Sequence, residues 1–177
     1  MTLRNIVTVP APVLRRKARP VTTFDKDLQT LIDDMIETMR AAPGVGLAAP
    51  QVGISQRVIV IEYAEEEEEV EEGQDPKEVK PRLYAMVNPE IVKTSAETET
   101  GVEGCLSVPG LVGEVERKYA IQVKGFNRRG QPMKLKVNGW LARIFQHEID
   151  HLNGVLFTDL ATQLWQPQTE EEAQDRV

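Results

Sequence analysis

The sequence predicts an α+β fold in a single domain, and three observations support that prediction. The chain has 177 residues, a length that suits one domain with one hydrophobic core. Apolar residues recur with helical spacing in two segments, residues 28–39 and 141–152. Several shorter segments between them are apolar runs or alternate as strands do. We therefore expect helices and sheets that share one core, with no second domain.

The first predicted helix follows Thr23 or Asp25, since either side chain can cap a helix N-terminus. One stripe of this helix is apolar and consists of Leu28, Leu31, Ile32, Met35, Ile36 and Met39. The run Ala41-Ala42-Pro43-Gly44 ends the helix. We expect the methionines of this stripe to fill the core and not to form a binding surface.

Four strands are predicted after that helix. Residues 57–61 read as a buried strand, and residues 83–92 read as a second one that Pro89 interrupts. Residues 120–126 and 133–137 alternate and flank Asn127-Arg128-Arg129-Gly130, which predicts a hairpin.

The second predicted helix follows the hairpin directly. Its apolar positions are Leu141, Ile144, Phe145, Ile149 and Leu152. Asn138 is expected to cap its start and Gly154 to stop it. This pattern predicts a largely buried helix.

The charge of the chain is concentrated in one segment. The net charge is −7, but residues 62–80 alone carry ten acidic residues against two lysines. Runs of like charge repel one another and stay solvated, so we expect an acidic surface-loop insert at 62–80. The rest of the chain is close to neutral, and the insert is no argument for or against an acidic substrate. Residues 167–177 are polar and are expected to form a flexible tail.

Composition also excludes some classes of protein. Hydrophobic residues make up 41% of the chain, and no apolar run approaches the roughly 20 residues of a membrane-spanning helix. The first five residues show no signal-peptide core, and a single cysteine excludes an internal disulfide. We expect a cytoplasmic protein that binds no membrane, and a mature organellar form stays open.

All the strong nitrogen and sulfur metal ligands lie in two short motifs. The only histidines are His147 and His151, four apart on the second helix, and the only cysteine is Cys105. Histidines at this spacing lie on one helix face and can reach one ion. An H-E-x-x-H match alone also arises by chance on surface helices, and a lone cysteine is usually a small buried hydrophobe. On a buried helix, however, two unpaired imidazoles would be costly, so we expect a three-ligand catalytic metal site.

The motifs then indicate a family. Three of them follow one another along the chain: Gly44-Val45-Gly46-Leu47-Ala48-Ala49-Pro50-Gln51, Glu103-Gly104-Cys105-Leu106-Ser107 and His147-Glu148-Ile149-Asp150-His151. This ordered set resembles that of peptide deformylases, as do the flanking residues 12–15, 88–89 and 154–159. The resemblance runs from about residue 10 to 160, apart from the insert. It implies a compact fold with antiparallel or mixed sheets around a central metal-binding helix.

The resemblance also implies a reaction. Deformylases remove the N-formyl group from nascent polypeptides that begin with formyl-methionine. Cys105, His147 and His151 would hold one divalent metal, with a metal-bound water as the attacking group. Glu148 would act as general base and then as general acid. The side chain of Gln51 and the backbone N–H of Leu106 would donate hydrogen bonds to the oxyanion.

Further roles follow from the same resemblance. The substrate-binding residues would be Gly44, Val45, Gly46, Trp140 and Ile144. The residues that orient the metal ligands would be Glu103, Asp150 and Arg117. Arg143 departs from the apolar residue found here in many members, and it either reaches outward or pairs with Glu103.

The metal and the partners are inferred from the family. Fe²⁺ is the expected ion, with Zn²⁺, Ni²⁺ or Co²⁺ as substitutes, because a thiolate and two imidazoles suit all four. The expected partner is the formyl-methionyl nascent peptide. Weak, transient contact with the ribosome stays open, although the tail is acidic and RNA phosphates would repel it. No sequence-specific binding of nucleic acid is expected.

Two other functions compete with this interpretation. Zincin-type endopeptidases also use H-E-x-x-H, but they take a third ligand further along the chain and have no need of Cys105. A catalytically inactive, metal-binding protein at the ribosome is the other alternative. The presence of Glu148, Gln51 and Cys105 argues against it.

Overall fold

A computed structural model describes residues 1–64 and 80–168 of the chain. The α+β prediction is confirmed. Helix α1 spans Lys26–Ala41, α2 spans Gly139–Leu152 and the single turn α3 spans Phe157–Leu160. Short 3₁₀ turns are found at Pro12–Arg15 and Ala49–Val52. None of the helices in the described ranges combines the length and apolar character that crossing a bilayer requires.

The strands form two antiparallel sheets. The larger sheet has the order β1-β2-β3-β6-β7, and its strands are β1 (Gly46–Ala48), β2 (Val58–Tyr63), β3 (Arg82–Thr94), β6 (Ala120–Phe126) and β7 (Pro132–Asn138). The smaller sheet has the order β4-β5-β8, and its strands are β4 (Thr98–Cys105), β5 (Val108–Lys118) and β8 (Gln163–Trp165). Every ladder between these strands is antiparallel.

Helix α1 begins where the sequence predicts. Asp25 is its N-cap, and the side chain accepts a hydrogen bond from the backbone N–H of Leu28 at 3.0 Å. The predicted apolar stripe is buried and packs on one face of the larger sheet, against Val58 and Val60. Ile59 and Ile61 point to the other face, toward α2. Strand β2 is therefore a continuous apolar run because both of its faces are covered.

The interruption predicted at Pro89 is a local irregularity within β3. The pairing of β3 with β6 shifts register between Val87 and Glu90. Asn88 has a φ of 51°, and its side-chain amide both accepts from the N–H and donates to the C=O of Val21. These two bonds hold a non-glycine residue in a left-handed conformation.

Strands β1, β4, β5 and β8 are absent from the sequence-based prediction. Strand β4 is rich in glutamate, threonine and glycine, and only its last three residues are buried. Such a strand has neither a clear alternation nor an apolar run, so the period-two signal is too weak. Pairing with β5 along almost its whole length forms the strand instead.

Helix α2 lies between the two sheets and is almost completely buried. Its apolar side packs on the larger sheet through Leu141, Ile144, Phe145 and Leu152. Asn138 occupies the N-cap position, as predicted, but makes no capping bond with its side chain. Gly154, the predicted stop, follows the helix with a φ of 74°.

Two predicted segments fall largely outside the described residues. Of the acidic insert at 62–80, Glu62 and Tyr63 belong to β2, and residues 65–79 are not described. Of the tail at 167–177, residues 169–177 are not described.

Candidate active site

Three metal-ligating side chains meet in the interior. Cys105 ends strand β4, while His147 and His151 are one turn apart on α2. One ligand atom from each lies within 4.8 Å of the other two, and all three residues are buried. Cys105 Sγ is 3.4 Å from His151 Nε2. Two ligands of one tetrahedral ion are about 3.5 Å apart when the metal–sulfur and metal–nitrogen bonds have their usual lengths.

One unpaired atom here also fits a metal ion. His147 Nε2 is buried and has no hydrogen-bond partner among the described residues, whereas His151 faces Cys105 Sγ with Nε2. Burial lowers the pKa of His147, but Cys105 and Glu103 raise it more strongly, so the net shift is upward. Burial and the charge of His147 lower the pKa of His151 well below its usual value. A thiolate and two imidazoles around one point suit a divalent transition metal.

Glu103 fixes the orientation of His147. Its Oε1 is 2.8 Å from His147 Nδ1, and it receives hydrogen bonds from Arg117 Nε and Nη2 and from Arg143 Nη1 at 2.7–2.9 Å. Although burial raises the pKa of Glu103, the bonds from Arg117 and His147 hold it far below its usual range. Because an ionised Glu103 can only accept a hydrogen bond, a neutral His147 must carry its proton on Nδ1. The lone pair of Nε2 is then available to bind a metal.

The predicted partnership of Asp150 with Arg117 is present in the structure. Arg117 Nη1 lies 2.5 Å from Asp150 Oδ2, and the same guanidinium binds Glu103 with its other nitrogens. Asp150 is one turn after His147 on α2, whereas Arg117 is on β5. The arginine therefore ties the metal-binding helix to the smaller sheet.

Glu148 lies beside the three candidate metal ligands, and both of its carboxylate oxygens lack a hydrogen-bond partner among the described residues. It is 1% exposed. Its Oε1 is 3.9 Å from His147 Nε2. Burial raises the pKa of Glu148 to about 7, which places its proton exchange near neutral pH. A Cβ on Gly46 would lie 2.9 Å from Oε1, so glycine at that position leaves room for this carboxylate.

Gln51 and the cysteine motif are brought together. Gln51 Oε1 accepts from the N–H of Ala48 at 3.0 Å, which turns the amide nitrogen toward Cys105 Sγ, 3.6 Å away, and Ser107 Oγ, 3.1 Å away. Leu106 lies between Cys105 and Ser107, at the turn that joins β4 to β5. The Gln51 amide therefore contacts the thiol, and Leu106 follows the cysteine in the chain.

The residues predicted to bind substrate lie in two places, at the start of β1 and in the first turns of α2. Gly44, Val45 and Gly46 lead into β1, an edge strand of the larger sheet. Trp140 and Val45 are half-buried, and both pack against the apolar cluster that contains the fully buried Ile144. Strand β1 therefore lies at the edge of the sheet, and Trp140 and Val45 share one apolar cluster with Ile144.

Two further buried residues have no role in the sequence-based prediction. Ser107 lies at the site, whereas Gln146 bonds Lys118 of β5 and Ala142 of its own helix. The open question about Arg143 is also answered. Ser107 is fully buried and bonds Gln51, and Gln146 exchanges hydrogen bonds with both backbone groups of Lys118. Ser107 belongs to a motif, and Gln146 lies three residues after Arg143 on the same helix face, so spacing could have indicated both. Arg143 turns inward and pairs with Glu103.

Comparisons with known proteins agree with this geometry. The sequence profile of the family described as polypeptide deformylase matches residues 3–166. The peptide deformylase of Symbiobacterium thermophilum is 50% identical over 93% of this chain and 69% of its own length. Peptide deformylase 1 of Bacillus subtilis is 44% identical over 99% of this chain and 98% of its own length.

Solved structures give the same result. The crystal structure of the Thermotoga maritima peptide deformylase superposes with a TM-score of 0.79 at 45% identity, covering 92% of this chain and 100% of that one. An inhibitor complex of the Plasmodium falciparum enzyme superposes at 0.75 with 38% identity, over 89% of each chain. The motifs, the fold and these relatives lead to one conclusion: the chain belongs to the polypeptide deformylase family.

Proposed function

We propose that this protein hydrolyses the N-formyl group from the N-terminal formyl-methionine of nascent polypeptides. The observation that carries the proposal is the buried centre itself. Three convergent ligands lie beside a buried, unpaired carboxylate, on the fold of the deformylases. Hydrolysis of an amide needs an acidified water, a proton acceptor and donors to the oxyanion, and each has a candidate here.

Cys105, His147 and His151 would hold the metal. A divalent ion held by these three ligands would acidify a water molecule, whose pKa is 15.7 in bulk, toward roughly 7. Glu103 would keep His147 in the tautomer whose Nε2 can bind the metal. Arg117, which bonds both Glu103 and Asp150, would hold Glu103 in place against α2.

Glu148 would move the proton. Its carboxylate is close to His147 Nε2 and has no competing partner among the described residues, so it is free to accept a proton from water. With a pKa of about 7 it can then return that proton to the leaving amine. Burial thus prepares one residue for both halves of the reaction.

Gln51 and Leu106 would stabilise the oxyanion. The Gln51 amide nitrogen already faces Cys105, and Ser107 and Ala48 hold the amide in that orientation. The backbone N–H of Leu106 would supply a second donor immediately after the cysteine. Fixed donors of this kind act without reorganising during the reaction.

A substitution of Gln51 tests this role. We expect Gln51→Leu to lower kcat by about 10²–10³-fold with little change in bound metal, because one oxyanion donor is lost. Ser107→Ala should cause a smaller loss, since it leaves the amide in place but removes the hydroxyl beside it. Steady-state kinetics with metal analysis would measure both effects. An undiminished kcat in Gln51→Leu would show that the amide is no donor.

The substrate would bind at the free edge of β1. The segment Gly44–Gly46 can hydrogen-bond an extended peptide, because β1 pairs with β2 on one side only within the described residues. Val45, Trp140 and Ile144 would contact the methionine side chain. The formyl group would then face Cys105 and Glu148.

We propose Fe²⁺ as the native metal. A thiolate ligand tolerates iron, zinc, nickel or cobalt, and Cys105 would be the ligand vulnerable to oxidation. We expect protein purified without oxygen to contain iron and to lose activity in air faster than the same protein loaded with Ni²⁺. Metal analysis beside timed assays would test this. Full zinc occupancy with full activity after anaerobic purification would contradict it.

Cytoplasmic location and brief contact with the ribosome are parts of the same proposal. The substrate is a chain under synthesis, so an enzyme that meets it early needs no membrane anchor. Arg16 and Lys17 are exposed basic side chains near the N-terminus, which gives weak attraction to RNA phosphates.

Formate release tests the reaction. We would incubate anaerobically prepared protein with formyl-Met-Ala-Ser and measure formate, with acetyl-Met-Ala-Ser as the matched substrate. We would also examine a longer formylated peptide by mass spectrometry. Formate without internal cleavage supports the deformylase. Internal cleavage without formate would indicate a zincin-type endopeptidase, and no product from fully metallated protein would indicate an inactive relative.

A further inference from the structure

Arg143 has a buried position that the mechanism does not use. It lies one turn before His147 on α2, is 2% exposed, and directs its guanidinium toward the smaller sheet. Nη1 donates to Glu103 Oε2 at 2.7 Å and to the C=O of Val115 at 2.8 Å, and Nη2 donates to the C=O of Glu99 at 2.7 Å. Three acceptors from β4 and β5 therefore fix the guanidinium plane.

Gly101 makes room for this guanidinium. A Cβ at position 101 would lie 2.9 Å from Cζ, 3.0 Å from Nε and 3.1 Å from Nη2 of Arg143. Gly101 is not among the glycines with positive φ, so its backbone does not require glycine. The absence of a side chain is instead explained by space, and Gly101 and Arg143 form a matched pair.

The same guanidinium also contacts the candidate substrate surface. Arg143 Cζ lies 5.4 Å from the centroid of the Trp140 ring, a distance at which a cation attracts an aromatic face. Trp140 is half-buried and packs against the apolar cluster that contains Ile144. Arg143 therefore joins Glu103, which orients His147, to Trp140, which would contact the methionine side chain.

We propose that Arg143 is a positioning residue that sets selectivity for the first side chain of the substrate by holding Trp140. This inference rests on the deformylase function proposed above. Arg143 touches neither the scissile group nor the proposed metal ligands, and it acts through Trp140. The planar guanidinium, bonded on three sides, gives the ring a fixed support that a flexible side chain cannot give.

Arg143→Met tests the proposal. The variant keeps a buried, unbranched side chain but removes the cation and its three hydrogen bonds. We expect the ratio of kcat/KM for formyl-Met-Ala-Ser to that for formyl-Leu-Ala-Ser to fall roughly tenfold, mostly through KM for the methionine peptide. If Arg143→Met does not fold, Arg143→Lys keeps the charge but not the plane, and the same ratio should fall.

Gln146→Met is the matched control. Gln146 is also buried on α2 and also bonds β5, through the backbone of Lys118, but it has no bond to Glu103 and no ring contact with Trp140. It should lower stability and leave the selectivity ratio unchanged. An equal fall of the ratio in both variants would show that loosening of α2, and not the Arg143 contact, causes the change.

Gly101→Ala supplies a second arm. The added methyl group must displace the guanidinium, so it should change selectivity as Arg143→Met does. In the Arg143→Met background it should change the ratio little further, because the displaced group is already gone. If the two substitutions change the selectivity ratio additively, Gly101 and Arg143 do not act as a matched pair.

A readout without activity separates this inference from the function. With Trp165→Phe in place, Trp140 is the only tryptophan, and acrylamide quenching reports its exposure. Arg143→Met should increase quenching, and Gln146→Met should not. If the wild type releases no formate but Arg143→Met and Gln146→Met differ in quenching as expected, the proposed function alone is contradicted. If the wild type is active but Arg143→Met changes neither the quenching nor the selectivity ratio, the inference alone is overturned.

Discussion

A Glu148→Gln protein is expected to bind its metal and to fold, yet to release formate about 10²–10⁴-fold more slowly than the wild type. Glutamine has almost the same shape as glutamate but cannot accept the proton. Glu148 makes no hydrogen bond to Cys105, His147 or His151 among the described residues, so the metal ligands should keep their places. Kinetics normalised to bound metal would measure the effect.

Stability gives this variant an internal control. Burial raises the pKa of Glu148 from 4.5 to about 7, so the metal-free protein loses stability as the pH rises between these two values, and the whole penalty is present above pH 7. Replacing it with a neutral amide should leave the free energy of unfolding unchanged or higher at about pH 8. Full activity in Glu148→Gln would remove it as the base, and unfolding would show that its role is structural.

Glu103→Gln is expected to have the opposite profile, with a large loss of stability. The carboxylate is fully buried and forms ion pairs with two buried arginines, Arg117 and Arg143. Removing one partner from such a set leaves uncompensated charge and costs about 3–5 kcal/mol. His147 would also lose the acceptor that fixes its tautomer, so metal affinity should fall about 10–100-fold.

Urea unfolding of the metal-free protein and competition with a chelator would measure these two effects. The matched control is Glu99→Gln, which makes the same change on the same strand, where the side chain is exposed. We expect Glu99→Gln to be within about 0.5 kcal/mol of the wild type. Equal effects of the two substitutions would mean that the buried network contributes nothing specific.

The sequence could predict what depends on local pattern. The stripe of α1 and the apolar run of β2 each carry a signal within a few residues, and the structure confirms both. Of the two predicted capping residues, Thr23 and Asp25, the structure shows Asp25 as the N-cap. The convergence of Cys105 with His147 and His151 was also predicted, because the chain offers no other strong nitrogen or sulfur ligand.

Contacts between residues far apart in the chain could not be predicted from the sequence. Strand β4 has weak strand character, and β5 makes it a strand. The direction of Arg143 depends on the missing side chain of Gly101, which is 42 positions earlier and comes close only in the folded chain. The sequence around Arg143 is compatible both with a side chain that reaches solvent and with one that pairs with Glu103, so only the structure could decide between them.

Formate release measured against bound metal tests the central claim most directly. Metal-free protein would be titrated anaerobically with Fe²⁺ while formate from formyl-Met-Ala-Ser is measured. We predict that activity rises in proportion to bound metal and saturates at one ion per chain, because one three-ligand centre carries the reaction. Formate release by the metal-free protein, or none at saturation, would contradict the assignment of this centre as the deformylase site.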